Sequence, residues 1–186
     1  MTRDDILDAA AQVIRQKGFH GASMADIAGA VKLQKASLYH HVSSKQEILL
    51  ALLDRALEML FEHISNVTDK SLPPDEKLRQ MIHSYLQVMT ENGDLAIVLL
   101  MEHRSLSPDL RSRHVPNRDK FELLWRDVIV DGIAEGVFRD VDPVMATRTL
   151  FGIMNWTLTW FQPDGVLSIE QITEQYANLL FNGLLK

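Results

Sequence analysis

The sequence over residues 23–49 reads SMADIAGAVKLQKASLYHHVSSKQEIL, and it predicts the local fold of the N-terminal part of the chain. Residues 24–31 and residues 34–41 each follow a short helical pattern of apolar positions. Only Lys32 and Leu33 separate the two patterns. Two short helices joined by so brief a turn are typical of a helix-turn-helix unit. The sequence therefore predicts this unit near the start of the chain.

Apolar side chains on the two short helices can meet in one small core. They are Ile27, Ala28, Val31, Leu33, Leu38 and Val42, which would pack with Ile6, Val13 and Phe19 of a preceding helix. The second short helix then offers four polar side chains to solvent, namely Gln34, Lys35, Ser37 and His40. Such side chains supply the chemistry that contacts base edges and phosphates. This face indicates double-stranded DNA as a partner.

The rest of the chain also reads as helix, because no alternating pattern is long enough for a strand. Serine followed three residues later by an acid or an amide marks helix starts at Ser23, Ser44 and Ser168. We predict an all-α protein with helices over residues 3–17, 24–31, 34–41, 44–66, 75–92, 94–105, 108–136 with a bend at Pro116, 143–161 and 169–185. Residues 1–45 would form a three-helix helix-turn-helix DNA-binding domain, and residues 46–186 a helical ligand-binding and dimerisation domain.

The stretch resembles the DNA-binding segment of the TetR family of bacterial repressors, whose pattern is T-x-x-D-I-A-x-x-A-G-V-S-x-G-T-L-Y-x-H-F-x-S-K-E-x-L. The chain matches the pattern at Asp26, Ile27, Ala28, Leu38, Tyr39, His41, Ser44 and Lys45. It departs from the pattern at Lys32 and Ala36, where the family has glycine, and at Gln34, where the family has serine. A lysine can occupy a left-handed turn position at a modest cost.

This resemblance implies a DNA-binding transcriptional repressor and assigns roles to individual residues. Phosphate contacts fall on Ser23, Tyr39 and Lys45, and base-edge contacts on Gln34, Lys35, Ser37 and His40. For Tyr39 the alternative is a core ring with its hydroxyl at the surface, and for Lys32 it is a solvated charge. One recognition helix reads only a few base pairs, so we expect a homodimer on a palindromic operator.

The overall charge of −6, from 19 basic and 25 acidic residues, argues against nucleic acid when taken for the whole chain. The charge is unevenly distributed. Between residues 17 and 45 four lysines stand against the single acid Asp26, which gives +3 and leaves −9 for the remainder. The sequence therefore predicts a small basic DNA-binding segment attached to a larger acidic remainder.

The last two predicted helices carry much apolar surface. The pattern over 143–161 is apolar on more than one face, so the helix must be buried on two sides. Together with 169–185 it resembles the dimer interface of the TetR family, a four-helix bundle built from two helices of each subunit. The alternative is that both helices only fill a monomer core.

The region from Gly136 to Gly165 more loosely resembles the FadR-type fatty-acid-degradation and sterol-degradation regulators of the family, which respond to acyl-CoA thioesters. We expect a hydrophobic small-molecule effector that releases the repressor, with an acyl-CoA as the specific hypothesis. Polar and aromatic residues on apolar helices are the candidate ligand contacts, and they are His83, His103, Arg104, Arg148, Asn155 and Trp156. Each such residue more often has a purely structural role.

Other functional classes have less support in the sequence. The chain has no cysteine, and His83, His103 and His114 lack the spacing of metal ligands. No phosphate-binding loop or nucleophile elbow appears, so we predict no catalytic residue, no metal and no cofactor. The alternatives are a helical enzyme or a protein-binding adaptor, and the adaptor leaves the polar face unexplained. Without a signal peptide or a long apolar run, we expect a cytoplasmic protein with no membrane partner.

Overall fold

The computed structural model describes residues 2–184, and over that range it contains nine α-helices, one 3-10 helix and no strand. The helices are α1 (Arg3–Gly21), α2 (Met24–Ala30), α3 (Lys35–Leu38), α4 (Lys45–Thr68), α5 (Pro74–Glu91), α6 (Gly93–Glu102), α7 (Pro108–Ala134), α8 (Pro143–Trp160) and α9 (Ile169–Leu184). The 3-10 helix, His103–Ser105, follows α6 directly. The all-α prediction is confirmed.

Side chains close in sequence cap the first turn of several helices, as predicted. At α2, the Ser23 hydroxyl accepts the backbone N–H of Asp26 at 3.1 Å, and the Asp26 carboxylate accepts the N–H of Ser23 at 2.9 Å. Ser168 and Gln171 form the same reciprocal pair at α9. The Asp142 carboxylate accepts two backbone N–H groups at the start of α8. These bonds satisfy donors that the first turn of a helix leaves unpaired.

The third helix differs most from its prediction. It contains only the four residues Lys35–Leu38, whereas the apolar pattern predicted 34–41. The N–H groups of His40 and His41 each bond to the carbonyl three residues earlier, which is a tighter turn than an α-helix. The polar face predicted on one helix therefore lies partly on α3 and partly on the turn that follows it.

Seven of the nine side chains predicted for the small core are buried, and Val13 and Leu33 are half-buried. Gly18 stands where the first helix was predicted to stop, and its φ of 69° is one that glycine adopts easily. The chain then makes one more helical turn, to Gly21, before α2 begins. The N-terminal helix is thus longer than predicted but is broken at the predicted residue.

The helices form two compact units. Unit 1 contains the residues up to Glu58 together with Asn92–Arg118, and in it α1 packs against α2 and α6. Unit 2 contains Met59–Glu91 and the residues from Asp119 onward, and in it α5 packs against α8 and α9. These units are defined by packing alone, so the functional boundary predicted after residue 45 stays a prediction. Within the described part of the chain, no helix is long and apolar enough to span a membrane.

The turn between α2 and α3 is closed by backbone bonds around a lysine. The N–H of Lys32 bonds to the carbonyl of Gly29 at 3.1 Å, and the N–H of Leu33 bonds to that of Ala28 at 2.8 Å. This pair of bonds forms the C-terminal cap in which glycine usually takes the left-handed position. Lys32 takes it here, with a φ of 55°. The structure confirms that a lysine occupies this position.

We expect Lys32→Gly to stabilise the fold by about 1 kcal/mol, because glycine adopts a positive φ without the steric penalty of a side chain. Chemical unfolding of both proteins in urea measures the difference. Lys35→Gly is the matched control, since Lys35 has a helical backbone at the first position of α3, where glycine relieves no strain and should give no stabilisation. A loss of stability on Lys32→Gly would contradict the argument.

Candidate functional site

The predicted polar face lies on the surface of unit 1 and is anchored from beneath by two apolar side chains. Leu38 is fully buried, and Val42, four residues later, is also buried. Gln34, Lys35 and His40 are exposed, and Ser37 is half-buried. We call Gln34, Lys35, Ser37 and His40 the polar face. The buried Leu38 fixes the backbone that carries the polar face, so the positions of these side chains at the surface are defined by packing.

Two hydroxyl groups predicted to contact phosphate stand in different environments. Tyr39 caps the end of α3, and its side chain is 47% exposed, which disfavours the alternative of a core ring. Ser23 caps α2, and its hydroxyl also donates to the Asp26 carboxylate at 2.7 Å. The Ser23 hydroxyl is therefore engaged within the protein, and both phosphate contacts stay predictions.

A lysine from α1 neutralises the acid at the start of α2. The Lys17 ammonium bonds to the Asp26 carboxylate at 2.6 Å, and that bond is the main reason why the pKa of Asp26 lies well below its ordinary value. The hydroxyl and N–H of Ser23 lower the pKa further. Two of the five charges in the predicted basic segment therefore cancel each other.

Lys45 is engaged with the backbone of the segment that follows Gly18. Its ammonium donates to the carbonyl of Phe19 at 2.7 Å and to that of Ala22 at 2.6 Å. It also lies 4.4 Å from the centre of the Phe19 ring, which is cation–π distance. Two of its three N–H donors are thus used within the protein. The predicted phosphate contact of Lys45 stays a prediction and would fall to the third donor.

Two further side chains hold the same region, and sequence patterns did not single them out for this role. The Glu102 carboxylate accepts the N–H of Phe19 at 3.0 Å and the hydroxyl of Ser105 at 2.8 Å. The Gln46 amide donates to the carbonyl of Ser105 and accepts the N–H of Ser107, both at 2.9 Å. No periodicity links residues so far apart along the chain. The end of α1 is thereby connected to the end of α6, and the start of α4 to the turn before α7.

The six predicted effector contacts are divided between the two units. In unit 1, His103 bonds to the carbonyl of Leu100, and burial lowers its pKa, while Arg104 is exposed. In unit 2, His83 lies 3.7 Å from the Glu170 carboxylate. Asn155 is half-buried, Arg148 is exposed and Trp156 is 66% exposed. Asn155 bonds to a buried side chain, since its carbonyl oxygen accepts the Tyr85 hydroxyl at 2.6 Å. All six assignments stay predictions.

Exposed apolar side chains concentrate on α8, α9 and the turn between them. They are Met145, Trp156, Trp160, Val166, Leu167 and Leu179. The turn also lines a surface cavity of about 220 Å³. Within residues 2–184, no three histidine, aspartate or glutamate side chains are grouped as a metal site would require. The polar face of unit 1 has hydrogen-bonding groups that suit contact with DNA, and the exposed apolar side chains of unit 2 suit contact with protein.

Two family models match the chain. The model described as "Bacterial regulatory proteins, tetR family" matches residues 6–52, and that described as "Tetracyclin repressor-like, C-terminal domain" matches residues 71–184. The HTH-type transcriptional repressor KstR2 of Mycobacterium tuberculosis is 27% identical to the chain, and the match covers 99% of this chain and 93% of KstR2.

Solved structures agree with these matches. The TetR family transcriptional regulator PfmR from Thermus thermophilus is 34% identical, with a TM-score of 0.87 and coverage of 97% of this chain and 99% of PfmR. AibR in complex with isovaleryl coenzyme A and operator DNA is 30% identical, with a TM-score of 0.90 and coverage of 96% of this chain and 97% of AibR. The similarity thus extends over nearly the whole chain.

We expect Lys45→Met to destabilise the protein by about 1–3 kcal/mol, because the carbonyls of Phe19 and Ala22 lose a charged donor in a partly buried place. Thermal unfolding measures the loss. Lys120→Met is the matched control, since Lys120 is exposed and its replacement should leave the stability within about 0.5 kcal/mol. Equal effects of the two substitutions would show that the bonds of Lys45 contribute nothing.

Proposed function

The chain belongs to the TetR family of bacterial regulatory proteins, and we propose that it is a cytoplasmic transcriptional repressor. It binds a palindromic operator as a homodimer and is released by a hydrophobic effector, an acyl-CoA. The observation that carries the DNA-binding part of this proposal is the polar face, held at the surface by the buried Leu38. The relative KstR2 is a transcriptional repressor, and AibR was solved with operator DNA, which supports the same conclusion.

The chemistry of the polar face supports direct contact with bases. A glutamine amide pairs with adenine and a lysine ammonium with guanine, and both Gln34 and Lys35 are exposed. Ser37 and His40 add donors and acceptors beside them. Ser23, Tyr39 and Lys45 are proposed to contact the phosphates on either side, where they fix the register of the protein on the duplex.

The basic charge available to DNA is smaller than the sequence total implies. Lys17 is paired with Asp26, and Lys45 has only its third donor left for a phosphate, so Lys32 and Lys35 are the exposed lysines that these bonds leave fully available to DNA. A dimer would present each of these two ammonium groups twice to one operator. Binding should therefore depend on salt less steeply than in proteins that neutralise many phosphates.

The exposed apolar side chains of α8 and α9 support a homodimer. Large residues such as Trp156, Met145 and Leu179 are more than half exposed. Several large exposed apolar residues on neighbouring elements often mark a protein interface. A second copy of the chain is the partner that a two-fold operator requires, because it supplies the second recognition helix.

Release by the effector would act through α4. This helix is continuous from Lys45 to Thr68, and its residues belong to unit 1 up to Glu58 and to unit 2 from Met59 onward. An effector that binds better to a tilted state of α4 would mis-space the two recognition helices, which must lie about 34–36 Å apart on one face of DNA. The affinity for DNA falls only as far as the effector prefers that state.

Lys35→Ala is expected to weaken binding to the operator by about tenfold or more, because each base-edge contact contributes about 1–3 kcal/mol and a dimer loses two. Fluorescence anisotropy with a duplex from the region upstream of the gene measures this loss. Lys120→Ala is the matched control, since it removes the same charge from α7. Unchanged affinity of Lys35→Ala, or equal losses in both variants, would refute base reading by Lys35.

The double variant Trp156→Asp with Leu179→Asp is expected to be monomeric at micromolar concentration, because it places charges in the proposed dimer interface. Sedimentation equilibrium measures the mass of the variant and of the wild type. The exposed Leu123 on α7 provides the control, since Leu123→Asp should leave the dimer intact. A monomeric wild type at that concentration would overturn the homodimer.

A further inference from the structure

Four aromatic rings form one cluster in unit 2. Tyr85 lies on α5, Phe121 and Trp125 on α7, and Phe151 on α8. Every pair among the four has ring centres between 5.3 and 6.4 Å apart. We call these four residues the aromatic cluster. Its aromatic surfaces are of the kind that make favourable contacts with hydrocarbon.

One polar atom in this cluster has no hydrogen-bond partner within residues 2–184. Trp125 is fully buried, and its indole N–H finds no acceptor among those residues. Tyr85 is also buried, but its hydroxyl does have an acceptor, because it donates to the Asn155 carbonyl oxygen at 2.6 Å. A buried donor without an acceptor is costly and rare, so it calls for an explanation. A bound molecule that brings an acceptor would provide one.

The cluster reaches the surface on one side. Tyr85, Phe121 and Trp125 are buried, whereas Phe151 is only half-buried. Asn155 lies one helical turn beyond Phe151 on α8, which places both on the same face of that helix, and it is also half-buried. Among the four rings of the aromatic cluster, Phe151 is therefore the one that solvent reaches.

We propose that the indole N–H of Trp125 donates a hydrogen bond to the thioester carbonyl oxygen of the effector, whose acyl chain lies against the aromatic cluster. The proposal rests on the acyl-CoA effector of the proposed function. A neutral carbonyl suits this position because a charged acceptor would be expensive to bury among four rings. The exposed Trp156, which the sequence pattern favoured as the contact, is replaced in this role by Trp125.

The test compares two ligands that differ only at the carbonyl. Octanoyl-CoA carries the acceptor, and S-octyl-CoA is the thioether that lacks it. We expect wild-type protein to bind octanoyl-CoA about tenfold more tightly, the factor that one buried hydrogen bond contributes. Trp125→Phe keeps an aromatic ring and removes the N–H, and it should bind both ligands equally. Isothermal titration calorimetry on the full chain measures all four affinities.

Thr173→Val is the matched control. Like the Trp125 indole N–H, the Thr173 hydroxyl is a buried polar group without a hydrogen-bond partner in the described part of the chain, but Thr173 lies outside the aromatic cluster. Thr173→Val should retain the tenfold preference of the wild type.

If the wild type binds both ligands equally, the role of Trp125 is overturned and the acyl-CoA effector is left intact. This measurement uses the wild type alone, so it does not depend on whether a variant folds. An unchanged preference in Trp125→Phe would also overturn the role of Trp125. If wild type binds neither ligand, both this inference and the acyl-CoA effector fail, while operator binding by wild type would still support the repressor.

Discussion

The backbone of Phe19 is the point on which the arrangement of unit 1 depends. Because Gly18 breaks the regular helix, the N–H and the carbonyl of Phe19 need partners from outside it. Glu102 from α6 supplies the acceptor, and Lys45 from α4 supplies the donor. One peptide segment therefore ties together the ends of three helices. Helix α3 lies in the chain between this segment and α4.

The engagement of Lys45 and Lys17 changes the meaning of the charge pattern. The sequence places a net charge of +3 in residues 17–45, against −6 for the whole chain. The structure uses part of that charge in internal bonds to carbonyls and to Asp26. Lys32 and Lys35, in contrast, are exposed.

Helix α8 shows how one apolar sequence serves two surfaces. Leu150 and Met154 are buried within unit 2, whereas Met145 and Trp156 are more than half exposed. All four read alike in a hydrophobicity pattern, and burial of the exposed side of the helix by a second copy stays a prediction. The hydrophobicity pattern also does not distinguish a buried tryptophan from an exposed one. The sequence pattern favours Trp156 as an effector contact, but Trp125 is the one that is buried, with no acceptor for its N–H among the described residues.

The all-α class, the helix-turn-helix core and the capped helix starts at Ser23 and Ser168 could be predicted from the sequence, because these features depend on residues a few positions apart. The sequence also marked Lys32 as the left-handed position. Three other features emerged from the folded chain alone: α3 is four residues long, Lys45 bonds to the backbone of Phe19, and Trp125 is the buried tryptophan. They depend on contacts between residues far apart in the chain, and neither periodicity nor local spacing carries that information.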